Sequence, residues 1–299
     1  MKLTVLGCHS ASPHENKNPT AQLLDIKGHR FLMDCGEGTQ VQLRKAKVSF
    51  VHIKHIFISH LHGDHFYGLP GLVSSFRLLG REAPLHIYGP KGIKEALTLL
   101  LKLANSWANF PLHFHELESN NSECIFDDDS VTVYTIPLKH RVYTNGFLFA
   151  EKEGFRRVNT EAAQAAGIDK SQFRLLELGQ DVLVDGVLVK NDSVTHNPHP
   201  PKKYAYCSDT AFFPSIVPII KGADWLYHES TFLQQHADLA HQTQHSTAQE
   251  AATIARDANV GRLILGHYSA RYKNLDLFTQ EAKAIFPNVI LAADGAVIS

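Results

Sequence analysis

The sequence predicts an α/β protein in which two β-sheets pack face to face and helices cover their outer faces. Short β-prone segments alternate with helical segments through both halves of the 299-residue chain, and the helices are not confined to one end. The length suits one large domain or two small ones. Since no tandem repeat divides the chain, we expect a single domain over residues 1–299.

The individual elements follow from composition and periodicity. Strand candidates are rich in apolar and β-branched residues and cover 3–6, 22–26, 29–33, 55–59, 85–88, 131–137, 146–150, 204–208, 225–228, 263–266 and 289–292. Helix candidates cover 38–46, 71–79, 92–104, 160–166, 247–259 and 275–285. The run Thr247-Ala-Gln-Glu250 is a capping box, which places the start of the helix at 247.

Residues 151–190 depart from this alternation. They are polar and contain only a short helix and a hairpin pattern at 181–189. Because they lie between two strong strand signals, we interpret them as an insertion that projects from the core. An ordinary surface excursion is the alternative.

Composition restricts the class of protein. A hydrophobic content of 44% and a charged content of 20% are typical of a soluble globular protein. The longest apolar run, near 97–103, is too short to span a bilayer, and the N-terminus lacks the pattern of a signal peptide. We therefore expect a cytoplasmic protein with no membrane partner. The net charge of -1 means that any binding of nucleic acid must depend on local charge.

The four cysteines are widely spaced and include no CxxC pair: Cys8, Cys35, Cys124 and Cys207. They predict neither a disulfide framework nor a thiolate zinc site.

A cluster of metal-binding side chains follows the strand predicted at 55–59. Residues 60–65 read His-Leu-His-Gly-Asp-His. Three imidazoles and a carboxylate this close together are difficult to bury without a metal ion or a charge partner. His60 and His62 converge where the chain turns out of the strand, which leaves Asp64 and His65 to reach a second ion. The motif predicts a site for two metal ions.

Three more candidate ligands lie beyond apolar strands, namely His140, Asp209 and His267. One histidine at a strand end is more often structural, but the combination with residues 60–65 favours a shared metal centre. The predicted first ion is bound by His60, His62 and His140. The predicted second ion is bound by Asp64, His65 and His267, with Asp209 bridging the two.

The ligand types indicate both the metal and the reaction. Imidazole and carboxylate ligands without sulfur favour Zn²⁺, with Mn²⁺ or Fe as possible substitutes. Two dications, two carboxylates and a bridging hydroxide carry a net positive charge, so the centre attracts an anion. Two metal ions also stabilise the attacking and leaving oxygens of an in-line phosphoryl displacement. The residues therefore predict hydrolysis of a phosphodiester.

Several motifs resemble a known family. HLHGDH at 60–65, SDT at 208–210 and GHYSARY at 266–272 resemble the metallo-β-lactamase superfamily. DCGEGTQ at 34–40, HESTF at 228–232 and HST at 245–247 resemble, more narrowly, short-form ribonuclease Z (tRNase Z, ribonuclease BN). The resemblance covers nearly the whole chain. It implies a metallo-β-lactamase αββα sandwich with an inserted flexible arm, two zinc ions, a homodimer, and endonucleolytic removal of the 3′ trailer from precursor tRNA.

The resemblance and the chemistry together suggest catalytic roles. Asp64 would hold or accept the proton of the attacking hydroxide, and His245 would protonate the leaving 3′ oxygen. The adjacent helix N-terminus lowers the pKa of a histidine, but a nearby carboxylate, Glu229, could offset this effect and keep His245 protonated. The alternative is that His245 is only a loop residue before a capped helix. His228 is expected to face the core.

Substrate contacts are expected on the arm and near the centre. In the family the arm grips tRNA and precedes the SDT strand, which is where residues 151–190 lie. The family's Gly-Pro turn is missing from 168–173, and 147–190 holds six basic against seven acidic residues. The stretch 139–157 is more basic, so we assign the tRNA contact to Lys152, Arg156 and Arg157. Arg271 is a further candidate for a phosphate contact, with an exposed structural arginine as the alternative.

Other functions share part of this pattern. A related phosphodiesterase or arylsulfatase-type hydrolase of small anions would fit the altered arm tip. A binding or scaffold protein on an inactive hydrolase fold would not need all seven metal ligands. A thioester or lactam hydrolase shares HxHxDH but would not require the HST acid or the arm.

Overall fold

The computed structural model describes all residues, 1–299, and contains eighteen strands, eleven α-helices and four short 3-10 helices. The strands are β1 (Lys2–Gly7), β2 (Ala21–Ile26), β3 (His29–Met33), β4 (His55–Phe57), β5 (Leu85–Pro90), β6 (Leu112–Leu117), β7 (Cys124–Asp127), β8 (Val131–Pro137), β9 (Asn145–Glu151), β10 (Arg157–Val158), β11 (Val182–Val184), β12 (Val187–Val189), β13 (Thr195–His196), β14 (Lys203–Cys207), β15 (Trp225–Glu229), β16 (Arg262–Gly266), β17 (Val289–Leu291) and β18 (Val297–Ile298).

The helices are mostly short. They are α1 (Thr39–Lys45), α2 (Gly63–Phe66), α3 (Leu69–Leu78), α4 (Ile93–Leu103), α5 (Thr160–Ala165), α6 (Phe173–Glu177), α7 (Asn191–Val194), α8 (Val217–Ile220), α9 (Ala237–Thr243), α10 (Ala248–Asp257) and α11 (Asp276–Lys283). The capping box at Thr247 and Glu250 is formed as predicted and begins α10. None of the helices has the length and apolar character that crossing a membrane requires.

Two seven-stranded sheets form the centre of the molecule. Sheet 1 has the order β18-β1-β2-β3-β4-β5-β6, and sheet 2 has the order β17-β16-β15-β14-β9-β8-β7. Strands β3 to β6 are parallel to one another, as are β14 to β17. The predicted pair of packed sheets with outer helices is confirmed.

Successive side chains of a strand point to opposite faces of the sheet, so each strand contributes to two layers of the core. In β4, Phe57 faces sheet 2, where its ring lies 5.3 Å from that of Phe147, whereas Ile56 belongs to the core beneath the helices. Buried residues of α1, α3 and α4 cover the outer face of sheet 1, and those of α10 and α11 cover sheet 2. The result is an αββα sandwich.

The strands that the sequence did not predict are mainly edge strands. β6 and β18 lie at the two edges of sheet 1, and β7 lies at one edge of sheet 2. An edge strand is covered on fewer sides, so its sequence carries a weaker apolar signal. In β6, for example, only Leu117 is buried.

The chain between β9 and β14 forms a separate small unit, which we call the arm (residues 152–202). It is longer than the predicted 151–190, because β13 returns to pair with β10. It contains three α-helices, α5, α6 and α7, of which only the one at 160–166 was predicted. The predicted hairpin is present as β11 and β12, and the arm has its own apolar cluster around Ile168 and Leu176.

Candidate metal centre

The candidate ligands meet because the strands that carry them point the same way. In sheet 1, β4 is followed by residues 60–65. In sheet 2, β8, β14 and β16 are followed by His140, Asp209 and His267. β8 and β14 are both antiparallel to β9, so they share one direction. All of these carboxyl ends therefore open onto one edge of the sandwich.

The first group comprises His60, His62, His140 and Asp209, and its donor atoms all lie within 4.8 Å of one another. His60 Nε2 lies 2.9 Å from His62 Nδ1. Asp209 Oδ2 lies 3.6 Å from His60 Nε2 and 3.8 Å from His140 Nε2.

The second group comprises Asp64, His65, Asp209 and His267, with the same limit of 4.8 Å. Asp209 Oδ1 lies 3.3 Å from His65 Nε2 and 3.1 Å from His267 Nε2. Asp64 Oδ2 lies 3.4 and 3.3 Å from the same two nitrogens. The two oxygens of Asp209 thus face different groups.

These residues fit a pair of metal ions. Two tetrahedral bonds of about 2 Å separate neighbouring donor atoms by about 3.3 Å, which is close to the separations within both groups. The Nε2 atoms of His65 and His140 are buried and make no hydrogen bond, an arrangement that costs free energy unless another partner binds them. Nitrogen and carboxylate donors without thiolate match the preferences of Zn²⁺.

The opposite ring nitrogens are held by hydrogen bonds. His65 Nδ1 donates to Asp34 Oδ2 (2.7 Å), and His140 Nδ1 donates to the Gln244 carbonyl (2.9 Å). His267 Nδ1 lies 2.8 Å from Thr231 Oγ1. Because Nδ1 is occupied in each ring, the Nε2 lone pair is directed into the centre, as is usual for histidines that bind metal.

The field at the centre attracts positive charge. Burial alone would lower the pKa of His65, but Asp209, Asp64 and Asp34 together raise that pKa well above its ordinary value. Burial and the neighbouring His65 lower the pKa of His60. The carboxylates thus favour a positive charge on His65 beside a neutral His60, and a divalent cation can take the place of that charge.

The hydrogen bonds of Asp34 lead to a testable prediction. Asp34 Oδ2 also accepts from Ser59 Oγ (2.9 Å) and Tyr206 OH (2.6 Å). Asp34→Asn should weaken metal binding or activity by about 10- to 100-fold, because the amide cannot accept all three bonds. Competition with a chelator measures the affinity. Tyr206→Phe removes only one bond and should have a smaller effect, so equal losses would contradict this account.

A second feature beside the centre is the pair Glu229 and His245. His245 Nδ1 lies 2.7 Å from Glu229 Oε1, and that oxygen also accepts from the Thr210 amide. Burial lowers the pKa of His245, but the charge of Glu229 and the hydrogen bond to it outweigh burial and raise the pKa to about 9. The His245 ring lies 5.1 Å from that of His140 and 5.4 Å from that of His267.

Three non-glycine residues at the centre have a left-handed backbone: Asp34 (φ 54°), Gln244 (φ 56°) and His267 (φ 61°). This backbone conformation costs free energy in residues other than glycine. Each of the three contributes a side chain or a carbonyl to the centre or its hydrogen bonds. Nine non-glycine residues in the chain have this conformation, and at these three positions it directs a functional group towards the centre.

A cleft of about 540 Å³ opens beside Asp64. Its walls come from the loop between β1 and β2, including Lys17, and from Tyr67. It gives Asp64 access to a molecule from solvent.

Comparison with known proteins identifies the family of this chain. The family model described as "Anti-Pycsar protein Apyc1" matches residues 1–155, which include HLHGDH and His140 but end before Asp209. Ribonuclease Z of Bacteroides fragilis is 43% identical over the whole chain and 98% of its own length. Ribonuclease Z of Porphyromonas gingivalis is 44% identical over 96% of this chain and 95% of its own. The chain belongs to the ribonuclease Z family.

A solved structure agrees with this assignment to the ribonuclease Z family. Human tRNase Z, short form, superimposes with a TM-score of 0.74 at 30% identity, covering 100% of this chain and 99% of its own. The metallo-β-lactamase fold protein YhfI of Bacillus subtilis shares the fold with a TM-score of 0.71 at 20% identity, covering 99% and 98% of the two chains. The resemblance derived from the motifs is confirmed.

The residues around the ligands were largely missed from sequence. The sequence places Asp34 only within the family-like loop at 34–40, and it assigns no role to four further residues: Ser59, Thr231, Tyr206 and Gln244. Thr231 links the two functional groups, since its hydroxyl donates to Glu229 Oε2 (2.6 Å) and contacts His267. Asp34, Ser59, Thr231 and Tyr206 lie within two residues of a strand end, whereas Gln244 directly follows helix α9.

The candidate substrate contacts lie in two places. Arg271 is near the centre, because its guanidinium lies 5.2 Å from the Phe232 ring, which is 6.2 Å from the His245 ring.

The other three basic residues lie at the base of the arm. Lys152 pairs with Asp127 at 2.7 Å, and Arg156 donates to Thr195 and Asn197. Arg157 lies 3.3 Å from His199. The Asn145 amide donates to the Ser59 carbonyl at the metal end of β9, and this strand is seven residues long. The arm therefore leaves the core about 20 Å from the centre, so these residues cannot touch the same phosphate as the metal ligands.

Proposed function

We propose that this chain is a zinc-dependent endoribonuclease that removes the 3′ trailer from precursor tRNA and leaves a 3′-hydroxyl on the tRNA. The observation that carries the proposal is the Glu229–His245 pair beside the candidate metal ligands. Cleavage that releases a 3′ oxygen needs a proton donor at that oxygen. Full-length relatives named ribonuclease Z support the substrate class.

We infer that the centre holds two zinc ions. His60, His62 and His140 would bind one ion, and Asp64, His65 and His267 the other, with one oxygen of Asp209 facing each group. When bound, the ions supply an activated water and stabilise the negative charge of the phosphodiester. Zinc content measured on the purified protein tests the number, since a single ion per chain would exclude this arrangement.

The chain's own groups move the protons. Asp64 Oδ2 is positioned to accept the proton of the attacking water, because it lies in the ligand group and also borders the cleft. His245 Nδ1 is engaged by Glu229, which leaves Nε2 to donate a proton to the leaving 3′ oxygen. Glu229 is fully buried and accepts four hydrogen bonds. It therefore fixes the orientation of the His245 ring and also favours the protonated form of that ring. Arg271 is placed to contact a phosphate next to the one that is cut.

The arm would contact the substrate far from the cut. A molecule that touches both Arg157 and the metal centre must span about 20 Å, because the seven residues of β9 separate the two. A folded RNA can do so, and a small ester cannot. We therefore assign the arm to tRNA binding, with Lys152, Arg156 and Arg157 at its base.

The alternative is hydrolysis of small anionic esters at the same centre, which would not use the arm. Removing the arm separates the two functions. Arg157 and His196 are register partners on β10 and β13, so residues 158–195 can be replaced by Asn-Gly, which closes a two-residue hairpin. The apolar cluster of the arm is removed with it, and the cores of the sandwich are untouched.

We expect the full chain to cleave precursor tRNA. The shortened chain still contains Lys152, Arg156 and Arg157, so these three residues are also replaced with alanine in it, and it should then lose most of that activity. Both proteins should hydrolyse a small chromogenic phosphodiester equally, and a chelator should stop all cleavage. Cleavage of only the small ester by the full chain would contradict the tRNA assignment. Cleavage of either substrate in the presence of chelator would contradict the metal mechanism.

We also propose a homodimer. The adjacent helices α3 and α4 expose large apolar side chains, including Leu78 (84% exposed) and Leu103 (75% exposed), and Trp107 follows α4. Apolar side chains grouped in this way are typical of an interface. Sedimentation equilibrium should give twice the mass of the chain, and Leu103→Asp should give monomers. A monomeric wild type would contradict the proposal.

We propose that the protein acts in the cytoplasm, where thiols stay reduced. All four cysteines are free thiols, and Cys124 is exposed. Fractionation of cells tests this, and recovery outside the cytoplasm would contradict it.

A further inference from the structure

A second group of histidines lies at the other end of sheet 1. His55, His86 and His113 are register partners on β4, β5 and β6. Their rings stack in a row, with 5.0 Å between the centroids of His55 and His86 and 4.8 Å between those of His86 and His113. The metal centre lies beyond the carboxyl ends of these parallel strands, and the row lies at or near their amino ends. His55 and His60 alone are separated by about 16 Å of extended chain.

A further histidine on β6, His115, approaches the row at His86. His86 Nδ1 lies 3.1 Å from His115 Nε2. The separation resembles the 2.9 Å between His60 Nε2 and His62 Nδ1 in the candidate metal centre. Tyr88 stacks on His115 with 4.2 Å between ring centroids and 9° between planes, which fixes the orientation of the His115 ring. The pair is thus held in place before any ligand binds.

Without an ion, the 3.1 Å contact is a hydrogen bond in which one ring donates its N–H to the other. A tautomer shift that moves this N–H to the opposite nitrogen of the same ring would turn both lone pairs towards an ion. Burial and neighbouring histidines lower the pKa values of both His86 and His115, so both rings are neutral at pH 7. His113 lies two residues before His115 on the same face of β6. It is exposed, so its side chain can rotate towards an ion held by the other two.

We propose that His86, His113 and His115 form a third metal site, which takes a divalent transition-metal ion such as Zn²⁺, Ni²⁺ or Cu²⁺. Three neutral imidazoles without a carboxylate suit these ions and disfavour Mg²⁺ and Ca²⁺. The site is independent of the phosphodiester chemistry, because it lies at the opposite end of the sheet. It neither requires nor supports the assignment of the substrate.

Titration calorimetry with Zn²⁺ on the dialysed, zinc-loaded protein tests the site. The wild type should bind one further equivalent beyond the ions of the metal centre. His86→Gln and His115→Gln should each weaken that binding by about 100-fold or more. Removing a residue that only hydrogen-bonds to a metal ligand already costs about 10- to 100-fold in affinity, and these two residues are ligands in the proposed site. His113→Gln should also weaken it, and this exposed position leaves the core intact. His241→Gln, at an exposed histidine on α9, is the matched control and should bind like the wild type.

All four variants should cleave precursor tRNA at the wild-type rate, so the site and the proposed function are tested separately. The site is disproved if the wild type binds no further equivalent, or if that equivalent persists unchanged in both His86→Gln and His115→Gln. Failure of all the proteins to cleave tRNA, with the further equivalent present, would disprove the proposed function and leave the site standing.

Discussion

Replacing Asp209 with asparagine is expected to slow cleavage of precursor tRNA by at least about a thousandfold. Asp209 is the one residue shared by both ligand groups, and each of its oxygens faces a different pair of imidazole nitrogens. Asparagine keeps the shape but removes the charge that offsets two dications. A two-metal centre contributes several kcal/mol to the stabilisation of a phosphoryl-transfer transition state, and each 1.36 kcal/mol is worth about tenfold in rate.

The measurement pairs cleavage rate with zinc content. We expect zinc per chain to fall together with activity, because a buried imidazole cluster without its carboxylate holds a cation less well. Asp257→Asn, which changes an exposed carboxylate at the end of α10, should leave both quantities unchanged. Full zinc content and full activity in Asp209→Asn would show that this residue does not join the two groups.

His245→Ala should slow cleavage by about 10²- to 10⁴-fold, the usual contribution of a general acid, while zinc content stays at the wild-type level. The reason is positional, since His245 contacts Glu229 and lies beside the ligand rings without belonging to the two ligand groups proposed for zinc. His241→Ala is the matched control on the neighbouring helix and should behave as the wild type. Loss of zinc in His245→Ala would mean that the role of His245 is structural.

Comparing two substrates makes the test of His245 more specific. A phosphodiester with a good leaving group needs little protonation of the departing oxygen, so His245→Ala should impair it much less than precursor tRNA. Equal losses on both substrates would argue against an acid. Glu229→Gln should act in the same direction as His245→Ala, because it removes the charge that holds the imidazole protonated.

The fold and the ligand positions were predictable because they depend on local pattern. A candidate ligand such as Asp209 or His267 lies just after an apolar strand, and parallel strands bring their carboxyl ends to one edge. No side-chain distance is needed for this prediction, and the structure brings all seven candidate ligands together.

The surroundings of the ligands could not be predicted in the same way. His140 is oriented by the carbonyl of Gln244, and any residue type could supply a carbonyl. The Thr231 hydroxyl binds Glu229 and also contacts His267, which is 36 residues away from Thr231 in the sequence. A threonine in a loop after a strand does not indicate such a role. Contacts of this kind depend on backbone geometry that no short motif encodes.

The far boundary of the arm could not be predicted from the sequence for a different reason. Its polar composition indicated an excursion, but its far boundary depends on β13, a strand of two residues that pairs with β10. The sequence also gives no sign that Arg156 is engaged by Thr195 and Asn197. A basic residue that is already hydrogen-bonded within the protein is less available to a phosphate than composition alone suggests.

The most direct test of the central claim is the chemistry of the cut ends. Precursor tRNA with a labelled trailer should be cut by the zinc-loaded protein at the 3′ end of the mature body. The products should carry a 3′-hydroxyl on the tRNA and a 5′-phosphate on the trailer, as attack of water on the phosphorus with protonation of the 3′ oxygen requires. Removal of zinc by chelator should stop the cut, and restored zinc should recover it. A 2′,3′-cyclic phosphate on the tRNA would contradict the account, because it would mean that the 2′-hydroxyl attacked and that the centre at Asp64 and Asp209 did not supply the nucleophile.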